Sequence, residues 1–149
     1  NGNDSLDGAL GNDTVDYGYL TGSLTATLVS SGTATVTAAS GDTDFLLGIE
    51  NLVGSGNADV VVGSGGDNTI DGKDGNDTLD GGGGNDSLLG GNGNDTLEGS
   101  SGINTASYVD APSGVVVSAA MCTWAGTSAR AAAFRIACFI PATRRASCC

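Results

Sequence analysis

Large apolar residues recur every nine positions through the middle of the chain. Val61, Ile70, Leu79, Leu88 and Leu97 follow one another at this interval, and most lie in short segments such as Thr-Leu-Asp. Alternation of polar and apolar residues over a few positions is typical of a β-strand with one face turned inward. The pattern therefore predicts a series of very short strands separated by turns, each contributing one large apolar side chain to a thin interior.

The nine-residue period extends to whole sequence blocks. Seven units follow one another without a gap from Phe45 to Ser107: FLLGIENLV, GSGNADVVV, GSGGDNTID, GKDGNDTLD, GGGGNDSLL, GGNGNDTLE and GSSGINTAS. A shorter array at the N-terminus contains GNDSLD and GALGNDTVD. The shared pattern is Gly-Gly-x-Gly-x-Asp-x-U-x, where U is apolar. Since one unit supplies a turn and a short strand, two units predict one full coil of 18 residues with two parallel sheets.

This motif resembles the RTX, or haemolysin-type calcium-binding, repeat family over residues 1–118. The resemblance implies an all-β fold, a parallel β-roll that forms a right-handed β-solenoid with 18 residues per turn. It also implies that each Ca²⁺ lies between turns two repeats apart, where aspartates and glycine-loop carbonyls hold it. Several ions are expected.

An 18-residue coil sorts the sixth-position residues into two columns. One column holds Asp59, Asp77 and Asp95, and the other holds Glu50, Asn68, Asp86 and Asn104. Carboxylates about 5 Å apart repel one another by roughly 3 kcal/mol at an effective dielectric constant of about 20, and a cation between them reverses the sign. Calcium accepts carboxylate and carbonyl oxygens in a forgiving geometry. Zinc prefers His or Cys, and the repeats contain neither.

The resemblance places one ion between Asp59 and Asp77 and another between Asp77 and Asp95. The second column is expected to hold weaker sites around Asp86, because Asn68 offers an amide oxygen without charge. The carbonyls expected to complete these sites lie around Gly72, Gly75, Gly81, Gly84, Gly90 and Gly93.

Other acidic and amide side chains are not expected to be main calcium ligands. Asp4 and Asp13 fit the motif, but the residues 18 positions later are Gly22 and Ser31, which predicts that these two turns can stay empty. The turns themselves are expected to use Asn76, Asn85 and Asn94. Solvated strand flanks are expected at Asp71, Asp80 and Glu98.

The repeat pattern divides the chain into five segments. A short array over 1–16 precedes a β-hairpin-like insert over 17–44, whose alternating runs LTGSLTATLV and GTATVTA are separated by Ser30, Ser31 and Gly32. The main array covers 45–107. The start of a second hairpin-like insert follows over 108–118, because Tyr108 aligns with Tyr17, and a non-repeat tail occupies 119–149.

The tail differs sharply in composition from the repeats. All 17 acidic residues lie at or before Asp110, whereas all four Cys and four of the five basic residues lie from Met121 onward. The tail is either a frameshifted or misjoined terminus or an authentic, disordered basic segment. In both cases we expect it to continue no strand and to supply no calcium ligand. Its cysteines lack the CxxC spacing of a zinc site, and its apolar run AAAFRIACFI is too short for a membrane span.

Net charge and residue content limit the function classes. A formal charge of -12 argues against nucleic acid or anionic membrane as partners and favours cations. The chain contains no His to serve as a general base, so no enzyme activity is expected within it. The sequence begins midway through a repeat, which indicates an internal fragment. Further repeats or domains of a parent protein, including any catalytic domain, would lie outside this chain.

These observations predict a calcium-binding β-roll module of a secreted, extracellular protein, which folds on Ca²⁺ after type I secretion. The alternative is a structural or adhesive surface solenoid of the adhesin or ice-binding type. Flat rows of Thr-x-Thr along one face would favour that alternative, and the insert shows a short TAT segment.

Overall fold

The computed structural model describes residues 2–108 and the strand Ala133–Ile136. The secondary structure of this part of the chain consists of thirteen strands without a helix, as the nine-residue pattern predicts. The strands are β1 (Ser5–Asp7), β2 (Thr14–Asp16), β3 (Leu24–Thr27), β4 (Thr33–Ala38), β5 (Thr43–Leu47), β6 (Asn51–Val53), β7 (Val60–Val62), β8 (Thr69–Asp71), β9 (Thr78–Asp80), β10 (Ser87–Leu89), β11 (Thr96–Glu98), β12 (Ile103–Ser107) and β13 (Ala133–Ile136). Within the described ranges, no helix has the length and apolar character to cross a membrane.

The strands form two sheets. The first has seven strands in the order β1-β5-β4-β3-β7-β9-β11, and the second has six in the order β13-β12-β10-β8-β6-β2. From β6 to β12, successive strands alternate between the sheets. Each strand therefore pairs in parallel with a strand 18 residues away, as Val61 does with Leu79 and Ile70 with Leu88. The predicted β-roll and its 18-residue turn are confirmed.

Each strand of the main array contributes one large apolar side chain to the interior between the two sheets. Val61, Ile70, Leu79 and Leu88 are completely buried, and Leu97 is 5% exposed. Residues on either side of each of them point outward, as period-two alternation requires. Backbone hydrogen bonds between coils continue into the turns, for example from the N–H of Gly63 to the carbonyl oxygen of Asp80 (2.7 Å). This thin core leaves the turns as the second major source of contacts.

The strands of the insert lie in the first sheet. Strands β3 and β4 pair antiparallel, and β4 pairs antiparallel with β5. β5 then pairs in parallel with β1, and β3 with β7, so the insert joins the short array to the main array. In the second sheet β2 pairs directly with β6.

The tail contributes a strand, contrary to the expectation that it would continue none. β13 pairs in parallel with β12, with Ile103 opposite Ala133 and Ala106 opposite Ile136. The physical reason is that β12 ends the coil and presents an edge of unpaired backbone groups, which any extended segment can satisfy. Most of the second predicted hairpin, over 109–118, lies outside the described residues.

Candidate calcium-binding turns

The sixth-position side chains form two hydrogen-bonded ladders inside the turns. In one, the N–H of Asp59 donates to Oδ1 of Asp77 (2.8 Å) and the N–H of Asp77 donates to Oδ1 of Asp95 (3.0 Å). In the other, the N–H of Asn68 donates to Oδ1 of Asp86 (2.9 Å), whose own N–H donates to Oδ1 of Asn104 (2.8 Å). The structure therefore brings together the residues of both columns in the order that the sequence predicts.

The ladder occupies one oxygen of each carboxylate and leaves the other one free at particular turns. Among the described residues, Oδ2 is buried without a hydrogen-bond partner in Asp13, Asp77 and Asp86. Burial raises the pKa of Asp77 to about 7 and that of Asp86 to about 6, although a backbone hydrogen bond partly opposes each shift. A buried carboxylate oxygen without a partner is costly, and a bound cation removes that cost.

Glycine at the first position makes room for this oxygen. A methyl group at Gly72 would overlap Oδ2 of Asp77 and come 2.9 Å from the carbonyl oxygen of Gly90 in the next coil. The carboxylate oxygen and the carbonyl oxygen thus face the same small space beside Gly72. Gly81 and Gly90 lie in the same way against Oδ2 of Asp86 and Asp95.

Fourth-position glycines bring neighbouring coils into contact. At Gly75, with φ of 132°, a methyl group would come 2.6 Å from the carbonyl oxygen of Asn57. Gly84 and Gly93 also have positive φ, at 104° and 150°. An L-residue with a side chain would be strained at these three positions, so the glycines shape the turn whether or not their carbonyls bind metal.

The second-position residues determine where the turn backbone points. Ala9, Lys73 and Gly82 have positive φ angles of 62°, 73° and 81°. Their N–H groups donate outward to Oδ1 of the preceding Asp7 (2.9 Å), Asp71 (3.1 Å) and Asp80 (2.9 Å). We call a turn with this second-position conformation an open turn.

The open turn changes the role expected for two acidic residues. Asp71 and Asp80 are partly buried and hold the second-position N–H, rather than serving only as solvated flanks. Short polar side chains commonly accept such local hydrogen bonds. The recurrence of Asp at the ninth position, directly before the next glycine, was the sequence signal for this role. The fifth-position Asn residues do serve the turns, as in the bond from the N–H of Asn94 to Oδ1 of Asn76 (2.9 Å).

Two calcium ligands predicted from the sequence lie in a different environment. Both oxygens of Asp59 accept hydrogen bonds, from Ser55 and from the N–H of Leu24. Oδ1 of Asn68 accepts hydrogen bonds from Ser64. Neither side chain has an unpaired oxygen comparable to Oδ2 of Asp77.

Asp4 and Asp13 do have stacking partners, contrary to the argument from the 18-residue spacing. The N–H of Asp4 donates to Oδ1 of Asp44 (2.9 Å), and the N–H of Asp13 donates to Oε2 of Glu50 (2.9 Å). The partners lie 44 − 4 = 40 and 50 − 13 = 37 residues away. The physical reason is that the insert adds residues between two coils that still stack directly.

The oxygens of the open turns suit calcium better than other common metals. The described residues contain no group of three or more Asp, Glu, His or Cys side chains placed to hold a metal. Calcium does not require such a group, because it combines carboxylates with backbone carbonyls. The free Oδ2 of Asp77 beside the carbonyl of Gly90 is such a combination.

A parallel β-roll with aspartate-lined glycine turns defines a calcium-binding repeat module. The family model for the RTX calcium-binding nonapeptide repeat matches the chain four times, over 1–18, 46–79, 53–88 and 71–106. The chain belongs to this RTX repeat family, and its repeats form a structural, calcium-binding unit rather than a catalytic one. A comparison with curated proteins gave no match.

Proposed function

We propose that this chain is the calcium-dependent folding module of a secreted, extracellular protein exported by type I secretion. The observation that carries the proposal is the buried, unpaired Oδ2 of Asp77 and Asp86. At the low calcium concentration of the cytosol these carboxylates oppose folding, so the chain stays extended for export. Outside the cell, calcium binds only the folded turns and shifts the equilibrium toward the roll.

The ions are proposed to lie at Asp77, Asp86 and Asp95, with carbonyl oxygens from the first-position glycines of neighbouring coils. In this proposal 45–107 is the main calcium-binding roll, and 1–16 is a short array held to it by the insert over 17–44. Catalytic activity of the parent protein would belong to a domain outside these residues.

Circular dichroism with and without millimolar Ca²⁺ tests the proposal. We expect residues 1–118 to lose most of their β-signal on chelation and to recover it with calcium, at a midpoint of about 10⁻⁴ to 10⁻³ M, the range of extracellular sites. Magnesium at the same concentration should restore little, because it demands a stricter octahedral geometry. A spectrum that chelation leaves unchanged would contradict the proposal.

A second candidate function is supported by the outer face of the first sheet. The strand registers align Thr43, Thr37, Thr25, Val60, Thr78 and Thr96 in one row across six strands. A second row aligns Phe45, Thr35, Thr27 and Val62. This face is regular, mostly exposed and free of charge over β3, β4 and β7, as an adhesive or ice-binding solenoid requires.

Inhibition of ice recrystallisation by the calcium-loaded chain tests this candidate. Thr25→Lys and Thr37→Lys should abolish inhibition, because each places a charge in the centre of the row. Thr69→Lys, on the exposed surface of the second sheet, is the matched control. If the loaded chain does not inhibit, or if all three variants behave alike, the threonine face has no such function.

A further inference from the structure

The coils contain a second kind of turn, which has serine at the second position and lacks the positive φ of an open turn. Ser55 and Ser64 occupy the second position of their units, and neither is among the residues with positive φ. Their N–H groups point inward and donate to Oδ2 of Asp59 (2.7 Å) and Oδ1 of Asn68 (2.7 Å). We call these two turns closed turns.

The closed turn satisfies its carboxylate without metal. Oδ1 of Asp59 accepts hydrogen bonds from Oγ of Ser55 (2.8 Å) and from the N–H of Leu24 in the insert (2.9 Å). Ser55 and Asp59 are 0% and 1% exposed, so these donors are shielded from water. In the next closed turn, Oγ of Ser64 donates to Oδ1 of Asn68 (3.1 Å). Three donors at Asp59 thus occupy the space and the oxygens that a cation would use.

The residue before a turn and its second-position residue together explain which kind forms. Val53 and Val62 precede the closed turns, and their side chains cannot accept a hydrogen bond from the second-position N–H, which turns inward. An apolar residue alone does not close a turn, because Gly91 has φ of 87° although Leu89 precedes its turn. Asp71 and Asp80 precede open turns, and their carboxylates accept the second-position N–H, which therefore points away from the interior of the turn. Serine by itself does not close a turn, because Ser100 has φ of 52° and its Oγ donates to Asp80 (2.7 Å).

We infer that the ninth- and second-position residues together determine which turns bind calcium, and that Val53-x-Ser55 and Val62-x-Ser64 make the turns of Asp59 and Asn68 independent of calcium. The roll then has a metal-free segment, covering the two closed turns and the strand β3 bonded to them. This segment separates an open turn at Asp13 from the open turns that begin at Asp77. The inference rests on the proposed calcium function and specifies which carboxylates carry it.

Loss of ions distinguishes the two kinds of turn. Asp59→Asn and Asp77→Asn both keep an oxygen that can accept the ladder hydrogen bond, as Oδ1 of Asn104 accepts it from the N–H of Asp86 in the native chain. Isothermal titration and native mass spectrometry should find at least one ion fewer in Asp77→Asn and the wild-type number in Asp59→Asn. Equal losses in the two variants would overturn the inference.

A gain of binding provides the reciprocal test. In Val53→Asp/Ser55→Gly the turn receives the outward acceptor and a residue that tolerates positive φ, so Oδ2 of Asp59 becomes free. This variant should bind one ion more than the wild type. Ser100→Gly, in a turn that is already open, is the matched control and should leave the number unchanged. A folded double variant without an additional ion would overturn the inference.

Hydrogen exchange of the metal-free full chain gives a readout that needs no variant. The amides of Leu24 and Ser55 should exchange more slowly than those of Asp77 and Thr96, by about tenfold or more, because only the former lie in a turn that is satisfied without calcium. Uniform exchange across these amides would count against the metal-free segment. If the wild type bound no calcium in any assay, the proposed function itself would fail instead.

Discussion

The backbone N–H of Asp59 donates a 2.8 Å hydrogen bond to Oδ1 of Asp77, the residue 18 positions later. The same contact recurs at each step of both ladders, and an amide oxygen can replace the carboxylate, as Asn104 does beneath Asp86. Sixth-position side chains therefore have two separable roles. One oxygen fixes the stacking of the coils, and the negative charge on the other is available to a cation.

Asp77→Asn should separate these two roles. The variant keeps the acceptor for Asp59 but removes a desolvated charge, so we expect the calcium midpoint to rise about tenfold, equivalent to about 1.4 kcal/mol. The metal-free chain should be no less stable than the wild type at pH 8. Calcium titrations followed by circular dichroism, with Asp86→Asn in parallel, measure both effects. Asp77→Asn is expected to have the larger effect, since Asp77 alone stacks between two sixth-position aspartates, and a larger effect of Asp86→Asn would contradict this ranking.

The stability of the metal-free roll should depend on pH. The folded-state pKa values of Asp77 and Asp86 are raised to about 7 and about 6, so the folded chain binds more protons than the unfolded chain between pH 4 and pH 7. The free energy of unfolding therefore falls as pH rises through this range. Circular dichroism in the presence of a chelator, at about pH 5 and about pH 8, should show the larger residual β-signal at the lower pH, because a larger fraction of the chain is folded there.

Calcium binding should have the opposite pH dependence, because Ca²⁺ competes with protons for the carboxylates of Asp77 and Asp86. We expect a higher calcium midpoint at about pH 5 than at about pH 8, and release of protons on binding near neutral pH. Calorimetric titrations in two buffers of different ionisation enthalpy measure the proton release. Binding without proton release would show that calcium does not displace protons from Asp77 and Asp86.

Gly72→Ala should disrupt the candidate site at its narrowest point. The added methyl group would overlap Oδ2 of Asp77 and approach the carbonyl of Gly90, and overpacking of this kind typically costs about 1 to 3 kcal/mol. Gly56→Ala is the control, because a methyl group there meets no atom within 4 Å. Thermal unfolding with saturating calcium compares the two. Equal unfolding midpoints would mean that the space beside Gly72 is not constrained.

Removal of residues 119–149 should lower the stability of the second sheet but leave the number of bound calcium ions unchanged. Deletion takes β13 away from β12 and exposes its edge, so we expect a loss of about 1 kcal/mol and greater self-association. The candidate ligands all precede this segment, so the number of bound ions should not change. Denaturant unfolding, light scattering and calorimetric titration of the truncated chain test the three expectations. A truncated chain with unchanged stability would indicate that the β12–β13 pairing contributes little.

The nine-residue spacing by itself predicted the fold of the main array. Because each unit supplies one turn and one strand, a coil of two units places Val61, Ile70, Leu79 and Leu88 between two sheets, and this coil length sorts the sixth-position residues into two columns. Local turn chemistry and strand alternation act over a few residues, so they are visible in the sequence.

Only the tertiary structure showed how the arrays meet and which carboxylates stay unpaired. The partners of Asp4 and Asp13 depend on the route of the insert through the first sheet, and no local spacing encodes that route. Likewise, Asp59 and Asp77 occupy the same position in the motif, yet Ser55 and Leu24 satisfy one while Oδ2 of the other remains unpaired. The difference arises from donors in the turn backbone and in a distant strand, because a hydrogen bond depends on the distance and direction of its atoms in space rather than on their separation along the chain.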